Sequence, residues 1–172
     1  MEKRANAVTF KGEPKTLVGP KLKVGDKAPD FAVLSGLEVV RLGQTHPKAR
    51  LFSVVPSLDT GVCSMQTKKF EEQIGAVKDK LAAYTISLDL PFAQKRFCTA
   101  ENITNMQTLS DVHDHSFGQN YGVLIEGLPL PLLSRAVFVV DKAGKITYVE
   151  YVPEVTTHPN YDAAMAAVKA AV

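Results

Sequence analysis

The chain reads as an α/β domain built on a central, partly parallel sheet. Candidate strands alternate with helical patterns along the whole length, the arrangement that places helices over a sheet. Val137 to Val140 is an uninterrupted apolar run, as expected of a central strand covered on both faces. With 172 residues, 45% of them apolar, there is material for one sizeable core. A single domain over residues 1–172 is expected, with no repeat, low-complexity stretch or linker-like boundary inside it.

Taken in order, Val8 to Phe10 and Thr16 to Val18 flank Lys11-Gly12-Glu13-Pro14 and predict an N-terminal hairpin over about residues 7–18. A polar stretch with Gly25-Asp26 and Ala28-Pro29-Asp30 follows. Strands are expected at Phe31 to Leu34, Val39 to Leu42, Leu51 to Val55, Tyr84 to Leu88, Ala136 to Val140 and Ile146 to Val152. Asp141-Lys142-Ala143-Gly144 supplies turn residues between the last two, so that pair should be an antiparallel hairpin. Helical patterns lie after Cys63, after Pro91, near Ser116 to Tyr121 and from about Tyr161 to Val172. In the segment Met65 to Leu81, Phe70, Ile74, Val77 and Leu81 fall on one helix face. Tyr161, Met165, Val168 and Val172 do the same at the C-terminus, where the alanines suit close packing on a sheet.

Charge narrows the function. A net charge of +2, from 20 basic and 18 acidic residues spread along the chain, creates no broad field for nucleic acid or an anionic membrane, and neither is expected as a partner. Met1-Glu2-Lys3-Arg4 is basic like the start of a signal peptide, but no apolar stretch follows before Lys11. No run approaches the roughly 18 apolar residues of a membrane span, so an unexported, cytoplasmic protein is expected. Two cysteines are too few for a disulfide scaffold; in a reducing compartment such a pair is catalytic, redox-active or simply buried.

Cys63 stands out. It closes the run Pro56-Ser57-Leu58-Asp59-Thr60-Gly61-Val62-Cys63, directly after a strand and in the first turn of the following helix. There the unpaired backbone N–H groups and the positive pole of the helix dipole favour negative charge, the condition for a reactive thiolate. The polar residues Ser57, Asp59, Thr60 and Gly61 predict an exposed loop. Thr60 has two readings. Its hydroxyl either caps the helix by accepting a backbone N–H or lies beside the sulfur. Pro56 either stiffens the loop and shields the site or simply ends the strand.

These residues carry a resemblance. Pro56, Thr60 and Cys63 are similar to the Pro-x-x-x-Thr-x-x-Cys signature of peroxiredoxins, and Val24-Gly25-Asp26-Lys27-Ala28-Pro29-Asp30-Phe31 resembles the segment that opens their domain. Asp59-Thr60-Gly61-Val62-Cys63 and Asp89-Leu90-Pro91-Phe92-Ala93-Gln94-Lys95-Arg96-Phe97-Cys98 resemble the bacterial thiol peroxidase subgroup, the atypical two-cysteine peroxiredoxins. The hairpin, Tyr121-Gly122-Val123, Ser134-Arg135-Ala136-Val137 and the region from Thr156 to Tyr161 also fit, so the likeness covers nearly the whole chain.

The resemblance implies a thioredoxin-like fold of peroxiredoxin type, with a central mixed sheet flanked by helices and an added N-terminal β-hairpin. It implies an antioxidant peroxidase acting on hydrogen peroxide and alkyl hydroperoxides, without bound cofactor or metal, recycled by a thioredoxin-type reductant and assembled as a homodimer. It also assigns roles: Cys63 the peroxidatic and Cys98 the resolving cysteine, joined by an intramolecular disulfide; Thr60 and Arg135 the polar pair at the sulfur; Pro56 the loop-shaping proline.

Elementary chemistry makes those roles intelligible. A cysteine of ordinary pKa, about 8.5, is mostly protonated at neutral pH, so reactivity requires a nearby cation and helix-end donors. Arg135, just ahead of a buried strand, can be aimed at a helix N-terminus and carries a permanent charge. An unresolved sulfenic acid is open to further oxidation, which gives a second cysteine its purpose. Cys98 is far too distant in sequence for a Cys-x-x-Cys turn, so a Cys63–Cys98 bridge must join two separate helices. If their Cα atoms start more than about 7 Å apart, local unwinding must accompany resolution.

Other signals are weaker. His113-Asp114-His115 with Asp111 has metal-ligating residue types, but a solvated loop is the plainer reading. Asn102-Ile103-Thr104 fits a glycosylation sequon that an unexported chain would never use. The segment Glu126 to Leu133, rich in proline and leucine, departs from the family pattern and is expected near the peroxide entrance or a dimer contact; Ser134 stands where alanine is commoner. Two rivals remain open at this level. One is a cysteine hydrolase pairing Cys63 with His113, His115 or His158; the other is a redox sensor that passes oxidation to a partner.

Overall fold

The computed structural model describes residues 1–45 and 47–172. Two sheets organise it. The large one has seven strands: β3 (Ala32–Ser35), β4 (Glu38–Arg41), β5 (Ala49–Val54), β6 (Leu81–Ser87), β7 (Met106–Ser110), β10 (Ala136–Val140) and β11 (Ile146–Tyr151). Their order is β11-β10-β5-β6-β7-β3-β4. β5, β6 and β7 run parallel, while the neighbours on either side are antiparallel, which gives the mixed sheet expected. The small sheet joins β1 (Lys3–Phe10), β2 (Glu13–Val18), β8 (Leu124–Glu126) and β9 (Leu132–Leu133) in that order.

Alternation along the central strands splits the core in two. Phe52, Val54, Ala136, Phe138 and Val140 point to one face, which also receives Phe117 of helix α3 (Ser116–Asn120) and Tyr121 directly after it. Leu51, Val137 and Val139 point to the other. That second face is covered by Phe70 of α1 (Gly61–Gln73) and by Ala164, Met165 and Val168 of α4 (Tyr161–Ala171). Every residue of β5 and β10 is buried, which explains the continuous apolar sequence of β10; β5 buries Arg50 and Ser53 among its apolar residues. Helix α2 (Pro91–Ala100) connects β6 to β7, and its Phe97 and Cys98 are half-buried against the same face as α1 and α4.

Several sequence expectations need correction. The helix over Met65 to Leu81 ends at Gln73; a short 3-10 turn covers Gly75–Val77, and Leu81 opens β6. Ile74 and Leu81 are indeed buried, but Leu81 as a strand residue rather than on a helix face. The N-terminal hairpin extends over residues 3–18, beyond the 7–18 expected, because basic Lys3 and Arg4 belong to β1. Arg4 donates to the carbonyls of Gly19 and Gly122 and lies 5.1 Å over the Tyr151 ring, so this charge closes the small sheet onto the body of the protein. Strands β7, β8 and β9 are additions to the strands expected. The leucine-rich segment contributes β8 and β9, with Ile125 opposite Leu132.

Candidate active site

The loop after β5 brings Cys63 into place. Pro56 is buried directly beyond the strand, Asp59 and Thr60 are exposed, and α1 begins at Gly61. Thr60 occupies the N-cap position with extended backbone angles (φ −98°, ψ 150°), yet its side chain caps no backbone N–H. The hydroxyl turns instead to Cys63, 2.7 Å from Sγ, and lies 2.9 Å from the Ser57 carbonyl. Of the two readings of Thr60, the structure takes the second. The helical ladder starts with Ser64 N–H donating to the Thr60 carbonyl at 3.0 Å, so the N–H groups of Gly61, Val62 and Cys63 stand ahead of it.

Arg135 reaches the same sulfur from a distant segment of the chain. It sits between β9 and β10, 2% exposed, and its three nitrogens are each directed. Nε donates to the Val155 carbonyl at 2.8 Å, one terminal nitrogen to Gln66 Oε1 at 2.8 Å, and the other to Cys63 Sγ at 3.2 Å. Both oxygen partners are neutral, and among the described residues no carboxylate lies within 4.0 Å of this guanidinium. A buried permanent cation without a carboxylate leaves the sulfur as the group positioned to balance it. The Thr60 hydroxyl has one proton, so facing a thiolate it donates to sulfur, and facing a thiol it accepts and gives its proton to Ser57.

Cys63 itself is fully buried, although its loop is exposed. It packs with Val55 and Leu58, and Phe97 of α2 closes against that cluster. Cys98 lies elsewhere on α2. Both thiols are free, and the Cys98 sulfur faces the Thr108 hydroxyl at 4.0 Å. Burial pushes the Cys98 thiol up from its ordinary range; Thr108 pulls it down and the charge of Glu71 adds a smaller push upward. The two cysteines thus occupy opposite settings, one facing a cation and one held neutral.

Sequence reasoning missed Gln66, which stands one helical turn after Cys63 and orients Arg135 while donating to the Ser53 hydroxyl at 2.7 Å. Its i, i+3 spacing was the available signal. Tyr161, on the packed face of α4 and at the end of the Thr156 to Tyr161 region of resemblance, accepts from or donates to His158 Nδ1 at 2.6 Å through its phenol, and burial pushes its pKa up while Arg135 lowers it. No histidine bonds the Cys63 sulfur among the described residues, so the hydrolase pairing with His113, His115 or His158 lacks its base. Asp111, the other half of the weak metal pattern, is spent on the N–H groups of Phe117 and Gly118. The leucine-rich segment lies in the small sheet rather than in the cluster around Cys63.

Residues 23–165 match the Redoxin family. A thiol peroxidase from Halalkalibacterium halodurans is 54% identical over 166 residues, 96% of this chain and 98% of that protein. The chain belongs to the thiol peroxidases of the redoxin family. A second thiol peroxidase, from Bacillus subtilis, is 52% identical over 96% of this chain and 98% of its own length. Among solved structures, a peroxiredoxin-like protein from Aquifex aeolicus superposes with a TM-score of 0.90 at 45% identity, covering 98% of both chains. The redoxin match begins at residue 23, so the β1–β2 hairpin precedes it, whereas the thiol peroxidase matches extend over nearly the whole chain. No helix among the described residues is long and apolar enough to cross a membrane.

Proposed function

We propose that this chain reduces hydroperoxides through the Cys63 sulfur, with Arg135 and Thr60 as its catalytic partners. The observation that carries this reading is the buried guanidinium of Arg135, directed at Sγ with only neutral oxygens otherwise around it. The thiolate attacks the outer peroxide oxygen; an S–O bond forms, the O–O bond breaks, and the departing alkoxide or hydroxide takes a proton to leave as alcohol or water. Arg135, Thr60 and the N–H groups ahead of the α1 ladder are donors for the charge that develops on the leaving oxygen. Pro56 holds the start of the loop against the end of β5.

The Cys63 sulfenic acid is then attacked by Cys98, releasing water and forming the Cys63–Cys98 disulfide. Its neutral resting thiol suits Cys98 to that later role rather than to the first attack. Because Phe97 lies against the Cys63 cluster while Cys98 faces Thr108, α2 must turn or unwind locally for the sulfurs to meet. A thioredoxin-type dithiol returns the disulfide to two thiols by exchange. The apolar cluster of Val55, Leu58 and Phe97 favours alkyl hydroperoxides as well as hydrogen peroxide. A homodimer working in the cytoplasm against oxidative stress completes the reading.

Steady-state consumption of peroxide with thioredoxin and thioredoxin reductase tests it. Wild type should turn over, Cys63→Ser should be inactive, and Cys98→Ser should react once and stop. A single turnover without recycling in the wild type would favour the sensor reading instead.

A further inference from the structure

A set of hydrogen bonds that the chemistry above does not use leads from the Cys63 sulfur to the start of α2. The Thr60 hydroxyl and the Thr60 N–H both point at the Ser57 carbonyl, at 2.9 and 3.1 Å. Ser57 is held in turn by Asp89: the serine hydroxyl donates to Asp89 Oδ1 at 2.7 Å, and the Leu58 N–H donates to Oδ2 at 2.8 Å. Ser87 adds a third donor to Oδ2 at 2.7 Å, and the Asp89 carbonyl accepts the Ser110 hydroxyl at 2.6 Å. Asp89 is therefore anchored on β6 and β7 and offers its carboxylate to the loop ahead of Cys63. It also directly precedes Leu90 and Pro91, where the helix that carries Cys98 begins.

We propose that Asp89 is a positioning residue for peroxide reduction: its carboxylate fixes the Ser57–Leu58 backbone and, through the Ser57 carbonyl that receives the Thr60 N–H, places the Thr60 hydroxyl against Cys63, while tying that loop to helix α2. The proposal rests on the peroxidase reading above. Three donors converge on this side chain, and only an ionised carboxylate accepts all three without presenting a donor of its own. The next loop residues, Asp59, Thr60 and Gly61, are exposed, so the loop draws its order from Asp89 and from buried Pro56. A hydroxyl displaced by a fraction of an ångström from a reacting sulfur costs rate without touching the substrate site itself.

The test is a double-mutant cycle on the rate constant for Cys63 oxidation by hydrogen peroxide, read in single turnover by rapid quench, alkylation and mass spectrometry. Asp89→Asn keeps the shape but turns an amide donor toward other donors; Ser57→Ala removes one link and leaves the carboxylate. Asp89→Asn should slow oxidation about tenfold and Ser57→Ala about threefold, and Ser57→Thr, which keeps the hydroxyl, should restore the wild-type rate. In a Thr60→Val background both losses should shrink below about twofold, because the tie acts through Thr60. Unchanged rates in the single variants, or equal losses with and without Thr60, would overturn the proposal. Circular dichroism and thermal unfolding check that Asp89→Asn folds; if it does not, the Ser57 pair decides. A wild type that fails to react with peroxide would sink the peroxidase reading and this proposal together, whereas a reactive wild type with an indifferent Asp89 would remove the proposal alone.

Discussion

Replacing Arg135 probes the site at its electrostatic centre. At the observed 3.2 Å from sulfur, a unit charge pair interacts by about 5 kcal/mol at an effective dielectric constant of about 20. Only the part that grows between the resting sulfur and the transition state accelerates the reaction. Loss of one preorganised donor to a developing negative charge costs about 10²–10³ in rate, or about 3–4 kcal/mol. Arg135→Met should therefore lower the rate constant for hydrogen peroxide reduction by about 10²–10³. Arg135→Lys keeps the charge but cannot hold Val155, Gln66 and Cys63 at once, and should lose about tenfold. Arg135→Met also strands the buried acceptors on Val155 and Gln66, at about 1–3 kcal/mol each, and Arg135→Lys strands at least one of its three partners, so urea unfolding must be measured beside the kinetics. A folded Arg135→Met that reduces peroxide within about threefold of wild type would refute the reasoning that the guanidinium stabilises charge at the sulfur.

Other expectations follow from single contacts. Glu71 on α1 gathers the N–H groups of Thr104, Asn105 and Met106, the segment just after α2; Glu71→Ala should cost about 2–3 kcal/mol in urea unfolding and speed amide exchange across residues 98–106. Unaltered exchange there would show that the carboxylate does not fasten this segment. Burial pushes the Asp111 carboxyl from 3.8 up to about 7, so the folded chain binds that proton more tightly than the unfolded one. Its contribution is complete below about pH 4 and is lost as pH rises to about 7, with a slope of up to about 1.4 kcal/mol per pH unit that Asp111→Asn should abolish in thermal melts. Glu154 acts in the opposite sense and in another window. The Thr156 hydroxyl and N–H hold its carboxyl down to about 2, so its contribution fades only as pH falls from 4.5 toward 2. Finally, kcat/KM should be higher for cumene hydroperoxide than for hydrogen peroxide if Val55, Leu58 and Phe97 receive the organic group; a clear preference for hydrogen peroxide would argue against it.

What could be read in advance follows the physics of each segment. The buried strand β10 announces itself because both faces are covered and the whole run is apolar, and β5 is legible from Leu51, Phe52 and Val54 despite Arg50 and Ser53. Strand β7 hides because Met106–Ser110 mixes polar and apolar residues, and its burial comes from neighbours it meets only in the fold. Strands β8 and β9 are three and two residues long, too short for any period to register. The overrun of α1 has a specific cause: Ile74, Val77 and Leu81 keep helical spacing by coincidence across a 3-10 turn and the first residue of a strand. Within the site, Cys63 could be judged from its place in the first helical turn, while the spacing of Thr60 left two readings open, a helix cap or a partner of the sulfur. Arg135 was reachable only through the resemblance, since nothing local reveals that a strand-end arginine will be buried against a helix of another segment. Gln66 carried only the signal of its i, i+3 spacing from Cys63, and Ser57 and Asp89 make their contacts only once the fold brings β5 and β6 together.

The most direct measurement is mass spectrometry of the Cys98→Ser variant after exposure to one equivalent of hydrogen peroxide. One added oxygen atom on the peptide that carries Cys63, trapped by a sulfenic-acid reagent, is the expected result, with wild type instead losing two hydrogens to a Cys63–Cys98 bridge. An unmodified Cys63, with the oxygen on a methionine or no oxygen taken up at all, would contradict it.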